Sequence, residues 1–168
     1  MTRRLGLTRP TGAKLAALRN ALRASRQRLR RPGRGGNDRR KITVQYRPEV
    51  DGLPDPGEIV WTWVPYEEDA SQGKDRPVLV VAEQDDELIA IMLTSKDHDR
   101  DAAREAEYGR LWLDIGSGDW DPKRRPSEVR LDRILRLDPA AVRREGAALD
   151  RERFVGVTRL LQELHGWS

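Results

Sequence analysis

The chain has 168 residues, of which 37% are hydrophobic, enough for one modest core, and it contains no apolar run long enough to span a membrane. It has no cysteine, which excludes disulfides, a thiol nucleophile and thiolate metal sites. The two histidines, His98 and His165, stand too far apart in sequence to suggest a metal site. These features favour a cytoplasmic protein without a metal or other cofactor.

Charge is divided unevenly along the chain. Residues 1–52 carry 15 Lys and Arg against 3 Asp and Glu, a net +12, whereas the remaining residues carry 17 against 25, a net −8. Segregation of this kind is typical of a basic tail that meets a polyanion. We therefore expect a basic extension over residues 1–52 and a separate domain over residues 53–168, and a chain that begins at Leu53 should keep the domain.

The extension predicts a helix near residues 12–31. Leucines recur close to one helical stripe, at Leu15, Leu18, Leu22 and Leu29. Pro32-Gly33 would end the helix, and "GRGGND" predicts a flexible linker. The helix could be a solvated segment, a docking helix that folds back on the acidic domain, or a contact for RNA. An RNA contact would use a continuous surface of arginines, namely Arg19, Arg23, Arg26 and Arg30.

A β pattern begins at Ile42. The stretch "ITVQY" predicts a short strand, and five more strands are expected at residues 58–64, 77–83, 88–94, 110–115 and 128–137. The stretch "EQDDE" predicts a hairpin turn between the second and third of these five. Five short strands with tight turns predict a small, strongly bent antiparallel sheet or barrel.

Two short helices are expected to close the chain. Asp138 and Pro139 suit the start of the first helix, and Gly146 suits its end. Asp150 would cap the second helix, whose apolar face consists of Phe154, Val157, Leu161 and Leu164. This face is expected to pack on the sheet, so the fold class is α+β and mainly β.

The stretch "WTWVPYEEDASQGKDRP" (61–77) predicts a long loop between two strands, and loops of that length are commonly functional. Trp61 and Trp63 alternate with other residues and so share one side of the strand, either in the core or, for Trp63, where it could stack on an unpaired base. Pro77 would open the second strand and hold Arg76 extended at the loop–strand junction. A guanidinium fixed there could bind a phosphate, or it could form a salt bridge with Glu67, Glu68 or Asp69.

A second polar cluster follows the third strand, with the sequence Thr94, Ser95, Lys96, Asp97 and His98. If the second and third strands pair through the predicted hairpin, Thr94 lies at the same end of the sheet as Arg76. Two hydroxyls beside one arginine are a donor set for phosphate oxygens.

These residues, in this order, resemble the MazF/PemK toxins of type II toxin–antitoxin systems. The similarity runs through "PGEIVW", "SQGKDRPVLVV", "LTS" and "PSEVRLDRILRLD", and it covers roughly residues 54–164. The resemblance implies an SH3-like barrel, usually a homodimer, that cleaves single-stranded RNA without metal. Cleavage would use the 2′-hydroxyl as nucleophile and leave a 2′,3′-cyclic phosphate, and a cognate antitoxin would neutralise the enzyme.

The resemblance also implies roles for individual residues. It makes Arg76 and Thr94 the catalytic pair. The residues expected to bind substrate are Trp63, Tyr66, Gln72, Lys74, Ser95 and Lys96. Because a guanidinium is a poor base, a general base is expected among Glu67, Glu68 and His98.

Several features depart from the family pattern. Trp63 stands where the family often has an acidic residue, Gly73 follows Gln72 directly, and the basic extension has no counterpart. An acidic domain is also unusual for an RNA enzyme, because phosphate neutralisation supplies much of nucleic-acid affinity. Trp63 and the acidic domain motivate an alternative to the nuclease, a non-catalytic SH3-like barrel that binds nucleic acid or a protein target such as gyrase.

Overall fold

The computed structural model describes residues 12–30 and 41–168, apart from the side chains at positions 29–30 and 144–146. Its helices are α1 (Gly12–Arg30), α2 (Ala102–Glu107) and α3 (Arg151–His165). Its strands are β1 (Glu58–Pro65), β2 (Gly73–Gln84), β3 (Glu87–Thr94), β4 (Trp112–Gly116), β5 (Ser127–Arg130), β6 (Leu135–Leu137) and β7 (Arg144–Ala148). The predicted N-terminal helix is present, and the predicted linker lies outside the described residues.

The described strands form one antiparallel sheet in the order β4-β5-β3-β2-β1-β7, with β6 also paired to β3. On one edge β3 pairs with β2. On the other edge it pairs first with β6, at Leu88–Ala90, and then with β5, at Leu93 and Thr94. This exchange of partners bends the sheet, and the predicted small antiparallel barrel of the α+β class is confirmed.

Both faces of the central strands are buried, which explains the continuous apolar runs of β2 and β3. On one face Leu79 and Ile91 belong to a main core that also includes Phe154 of α3. On the other face Val78 and Met92 belong to a second apolar cluster. Side chains alternate between these two faces along the regular part of the pairing, and the alternation is interrupted where the β2–β3 register shifts between Val80 and Ala82.

The closing helix α3 forms as predicted. Asp150 caps it by accepting a hydrogen bond from the Arg153 amide at 3.0 Å, and Gly166 ends it in the left-handed conformation. The side chains of Phe154, Val157 and Leu161 are buried in the main core, and Leu164 packs against it. The sequence "EQDDE" also forms the predicted two-residue turn, because Gln84 pairs with Glu87 and the residues between them have positive φ.

Residues 41–47 pack into the main core without forming the predicted strand. Ile42 is 7% exposed, and the Tyr46 ring lies 4.9 Å from the Phe154 ring. The Tyr46 hydroxyl donates to the Leu149 carbonyl at 2.9 Å, and the Gln45 amide donates to the Val81 carbonyl at 3.0 Å. The strand prediction was wrong because these bonds, and the two that Ile42 and Val44 make with Ser168, go to separate elements and do not form a ladder.

Two other predictions in the second half were wrong. The strand expected over residues 128–137 is broken into β5 and β6, because Asp132 turns inward to accept a hydrogen bond from the Leu111 amide at 2.7 Å. The helix expected after Asp138 is a single 3-10 turn, Pro139–Ala141, although Asp138 does cap it. The chain then becomes extended at Val142 and enters β7, which pairs with β1. The short helix α2 was not predicted.

Candidate functional site

The polar stretch between β1 and β2 is a compact turn and not the long loop that was predicted. β1 continues to Pro65 and β2 begins at Gly73, so only residues 66–72 connect them. The Tyr66 amide donates to the Gln72 carbonyl at 2.9 Å, and Asp69 accepts from both the amide and the hydroxyl of Ser71. The prediction failed because backbone pairing of residues 73–76 with 62–65 does not require apolar side chains.

Arg76 lies inside β2, opposite Thr62, and not at a loop–strand junction. Pro77 therefore does not open the strand, which corrects the expectation. It is tolerated because the regular pairing of β2 with β3 begins only at Val78, so the missing amide at position 77 breaks no bond of that ladder. No ion pair or side-chain hydrogen bond joins Arg76 to another described residue.

The acids offered as alternative partners of Arg76 bind elsewhere. The two oxygens of Glu67 accept from the guanidinium of Arg130 at 2.8 and 2.9 Å. Glu68 lies 3.5 Å from Arg110, and Asp69 accepts from Ser71. The salt-bridge alternative for Arg76 was therefore wrong.

Arg76 and Thr94 project from the same face of the sheet. The β2–β3 register reaches Val78 opposite Met92, and the next residues on that face of each strand are Arg76 and Thr94. Thr94 is also the cross-strand partner of Glu128 in β5. Glu128 is in turn the partner of Asp114 in β4. We call these residues the transverse row; it is one line of side chains across the sheet, consisting of Thr62, Arg76, Thr94, Glu128 and Asp114.

Trp63 lies on the opposite face from the transverse row. It is the partner of Asp75, whereas Arg76 pairs with its neighbour Thr62, so alternation separates the two side chains. The Trp63 side chain is 45% exposed and covers Gly73, where an added Cβ would lie 2.8 Å from the indole ring. Trp61 shares the face of Trp63, as predicted, and donates from Nε1 to the Trp120 carbonyl at 3.3 Å.

The other residues expected to bind substrate divide into two groups. Tyr66 and Gln72 are exposed in the turn between β1 and β2. Lys74 shares the face of Arg76, two residues away along β2, and its side chain is exposed. Ser95 and Lys96 are exposed just after Thr94, whose hydroxyl oxygen accepts from the Lys96 amide at 3.2 Å.

The three base candidates have different surroundings. The hydrogen bond from Arg130 holds the pKa of Glu67 below its usual range, which makes Glu67 a weak proton acceptor at neutral pH. Glu68 is largely exposed. His98 is buried, with Nδ1 2.7 Å from Oε2 of Glu128 and its ring stacked on Trp112 at 4.0 Å. Of the three, only His98 contacts a residue of the transverse row.

The N-terminal helix is docked on the domain, so the solvated alternative was wrong. Lys14 is 4% exposed and its ammonium contacts three carboxylates, those of Asp99 at 2.5 Å, Glu128, and Asp114 at 3.3 Å. At the other end of α1, Ser25 donates to the carbonyls of Glu163 and Leu164 in α3, at 3.0 and 2.8 Å. Leu18 packs against the main core, and Leu15 and Leu22 are half-buried, whereas the Leu29 side chain lies outside the description.

The arginines of α1 take almost no share in this docking. Arg19 and Arg23 are exposed and have no ion pair among the described residues. Arg26 pairs with Glu163 at 2.9 Å but remains 68% exposed, and the Arg30 side chain lies outside the description. Spacings of four and three residues place Arg19, Arg23 and Arg26 on one stripe of the helix. The helix therefore folds back through a lysine, a serine and leucines, and it leaves an arginine stripe facing solvent.

Sequence patterns could not identify Lys14, Asp114, Glu128 or Arg130 as site residues. Lys14 is separated from Glu128 by more than a hundred positions, and only the docking of α1 brings them together. Arg130 is buried between Glu67 and Asp132 although arginine is usually exposed. Glu128 does not stand out from its strand either, because β5 has the sequence Ser-Glu-Val-Arg and only Val129 is apolar.

Comparison with known proteins assigns the chain to a family. A sequence model of the PemK-like, MazF-like toxins of type II toxin–antitoxin systems matches residues 55–165. The chain belongs to this family. A solved structure of MazE–MazF (form II) from Deinococcus radiodurans has a TM-score of 0.49 and 20% identity, and the alignment covers 70% of this chain and 100% of that one.

No curated protein matches the chain in sequence. The family match begins at residue 55, so helix α1 and the core segment 41–47 both lie outside it. None of the described helices is long and apolar enough to cross a membrane.

Proposed function

We propose that the protein is an endoribonuclease toxin that cleaves single-stranded RNA without a metal ion and is neutralised by a cognate antitoxin. Two observations support this function. The chain is a member of the MazF-like toxins over about two thirds of its length. The positions that match the family's catalytic pair, Arg76 and Thr94, share one face of neighbouring strands, and Arg76 has no ion pair among the described residues.

In the proposed reaction the 2′-hydroxyl of one nucleotide attacks the adjacent phosphorus. The new bond joins the 2′-oxygen to phosphorus, the bond from phosphorus to the 5′-oxygen breaks, and a 2′,3′-cyclic phosphate remains. Arg76 stabilises the negative charge that develops on the phosphate oxygens and gives a proton to the departing 5′-oxygen, which leaves as a hydroxyl, and the guanidine regains a proton from solvent. Thr94 donates from its hydroxyl to a phosphate oxygen.

The proton of the attacking 2′-hydroxyl must pass to a base, and Arg76 is too basic to accept it. We assign this role to His98. Its Nδ1 is bonded to Glu128, the cross-strand partner of Thr94, which orients the ring as a carboxylate orients a catalytic histidine. Glu67 is disfavoured because its pKa is lowered by the hydrogen bond from Arg130.

The remaining site residues are proposed to bind the RNA strand. Lys74, Ser95 and Lys96 flank the transverse row and would bind phosphates on either side of the scissile bond. The other three candidates lie away from the transverse row: Tyr66 and Gln72 are in the turn between β1 and β2, and Trp63 is on the opposite face of β1. A base that stacks on Trp63 would therefore belong to a strand that passes around the β1–β2 turn, and not to the nucleotide at Arg76.

Family membership also supports a homodimer and an antitoxin partner. An antitoxin would be encoded beside this gene and would compete with RNA for the same site. The proposed substrate places the toxin in the cytoplasm. Sedimentation at micromolar concentration tests the dimer, because a monomer as the sole species would contradict it.

The reaction is tested by incubating purified protein with single-stranded RNAs of varied sequence in EDTA. Cleavage with 2′,3′-cyclic phosphate ends is the expected result. If no such product forms from any sequence, the alternative is favoured, a non-catalytic barrel that binds nucleic acid or a protein such as gyrase.

A further inference from the structure

Helix α1 delivers a buried cation to a cluster of carboxylates beside the proposed active site. The carboxylates of Asp97, Asp99 and Glu128 approach one another within 4.8 Å, close enough to hold a cation. The cation that contacts Asp99 and Glu128 is the ammonium of Lys14, which also contacts Asp114 at 3.3 Å. An element outside the family match therefore completes this cluster.

This cluster shares the face of the transverse row. Glu128 is the direct cross-strand partner of Thr94, and such partners have Cβ atoms roughly 5 Å apart. Asp114 continues the same line in β4. Without Lys14, a phosphate bound at Thr94 would face several carboxylates at short range, and like charges at that distance oppose binding.

Lys14 stays charged in this environment. Burial alone would lower its pKa, but hydrogen bonds to Asp99 and Glu128 and the charges of Glu128 and Asp114 raise it overall. The ammonium is thus a permanent countercharge at neutral pH. Its contact with one oxygen of Glu128 leaves the other oxygen for Nδ1 of His98.

We propose that Lys14 is a positioning residue of the RNA site: its ammonium neutralises the carboxylates beside Thr94 and holds Glu128 against His98, so that an RNA phosphate can approach the transverse row. This inference rests on the proposed RNA substrate. It gives α1 a role that its arginines do not explain, because Lys14 is buried and cannot itself contact RNA. A residue that only anchored α1 to the domain would need no charge at this position.

The test measures binding of a single-stranded 2′-O-methyl RNA, which lacks the nucleophile and cannot be cleaved. Lys14→Met is compared with Lys14→Arg, which keeps the charge. Ser25→Ala is the matched control, because it loosens the docking of α1 on α3 and leaves the carboxylate cluster intact. Acting over about 8 Å at an intermediate effective dielectric, one unit charge changes affinity roughly fivefold. At low salt we therefore expect Lys14→Met to bind the RNA roughly fivefold more weakly than wild type. Lys14→Arg and Ser25→Ala should bind it nearly as tightly as wild type.

Salt dependence separates this electrostatic role from damage to the fold. The RNA phosphate lies in solvent, where the screening length falls from about 10 Å at 0.1 M salt to about 3 Å at 1 M, so the deficit of Lys14→Met should shrink as salt rises, although less than for an exposed charge because Lys14 is buried. A deficit that is equal at every salt concentration, or no deficit, would overturn the inference. Loss of Lys14 could also unfold the chain by leaving buried carboxylates unpaired. The double variant Lys14→Met with Asp99→Asn restores the charge balance and should bind within about twofold of wild type; failure to recover also counts against the inference.

Cleavage of the unmodified RNA is followed in parallel, so that the two proposals fail separately. A wild-type protein that cleaves RNA, with Lys14→Met binding equally well, refutes only the role of Lys14. A wild-type protein that binds the 2′-O-methyl RNA but cleaves nothing refutes the nuclease, and the binding result still decides the role of Lys14. A wild-type protein that does neither refutes both.

Discussion

The substitution Ile42→Ala tests whether the segment before the family domain belongs to its core. Ile42 is 7% exposed and packs in the main core, and its carbonyl accepts from the Ser168 amide at 3.0 Å. Truncation of a buried isoleucine to alanine costs about 2–5 kcal/mol. The lower half of this range is expected because Ile42 lies at the margin of the core, where the structure can relax. For a chain of this size each kcal/mol lowers the melting temperature by about 2–4 °C, so we expect a fall of about 4–14 °C.

The assay is thermal unfolding followed by circular dichroism, with urea unfolding as a second measure. Lys41→Ala is the matched control, because Lys41 is the exposed neighbour of Ile42 and its truncation should change the free energy of unfolding by no more than about 0.5 kcal/mol. If Ile42→Ala melts within about 1 °C of the control, the segment does not pack as described. Because residues 41–47 pack into the main core, a chain that begins at Leu53 should melt well below one that begins at Lys41, which differs from the expectation drawn from the sequence.

Two further predictions concern charge. If the exposed stripe of α1 recruits RNA, the double variant Arg19→Gln with Arg23→Gln should flatten the slope of log affinity against log salt by about 0.7 per lost phosphate contact. The control is Arg159→Gln, at an exposed arginine of α3, and it should leave the slope unchanged. Equal slopes for the two proteins would refute recruitment. The hydrogen bond from Arg130 lowers the pKa of Glu67 in the folded state. Ionised Glu67 therefore stabilises the fold at any pH above its pKa in the unfolded chain, and this stabilisation is lost as the pH falls through its pKa in the folded protein. Wild type should therefore be more stable than Glu67→Gln at pH 7, by on the order of 1 kcal/mol because Glu67 is 38% exposed. The difference should disappear below about pH 4. A difference that stays constant with pH would contradict the pairing.

Local patterns predicted the parts of the fold that short-range physics determines. The alternation of Ile59, Trp61 and Trp63 gave the correct relation between the tryptophans, and Asp150 gave the correct start of α3. The hairpin at Asp85-Asp86 was predicted from its turn residues alone. In each case the deciding interactions lie within a few positions of one another.

The predictions that failed depended on long-range contacts. The polar start of β2 has no strand pattern and is held by backbone pairing with β1. The strand after Leu131 is interrupted because Asp132 binds the amide of Leu111. A solvated helix was one of the alternatives for residues 12–31, and only the three acidic partners of Lys14, which come from separate segments, explain why this lysine is buried.

Sequence reasoning anticipated that Arg76 and Thr94 lie at the same end of the sheet, but it did not anticipate the residues around them. The resemblance indicated Arg76 and Thr94, and the strand register brings them to one face. The place of Trp63 near the end of its strand suggested a base-stacking neighbour for this pair, but the alternation of β1 puts that ring on the other face. Glu128, which connects Thr94 to His98, could not be chosen from sequence because the pairing of β3 with β5 was not predictable.

The proposed nuclease depends above all on Arg76, so its sharpest test is the rate at which Arg76→Ala cleaves single-stranded RNA in EDTA. Removal of one preorganised donor to a developing charge typically lowers the rate by about 10²–10³-fold. Arg76 makes no ion pair or side-chain hydrogen bond with the described residues, so the substitution should leave the melting temperature nearly unchanged. We expect a folded variant whose cleavage is slower by that factor, and a wild-type enzyme that leaves 2′,3′-cyclic phosphate ends. An Arg76→Ala variant that cleaves as fast as wild type would contradict this role of Arg76.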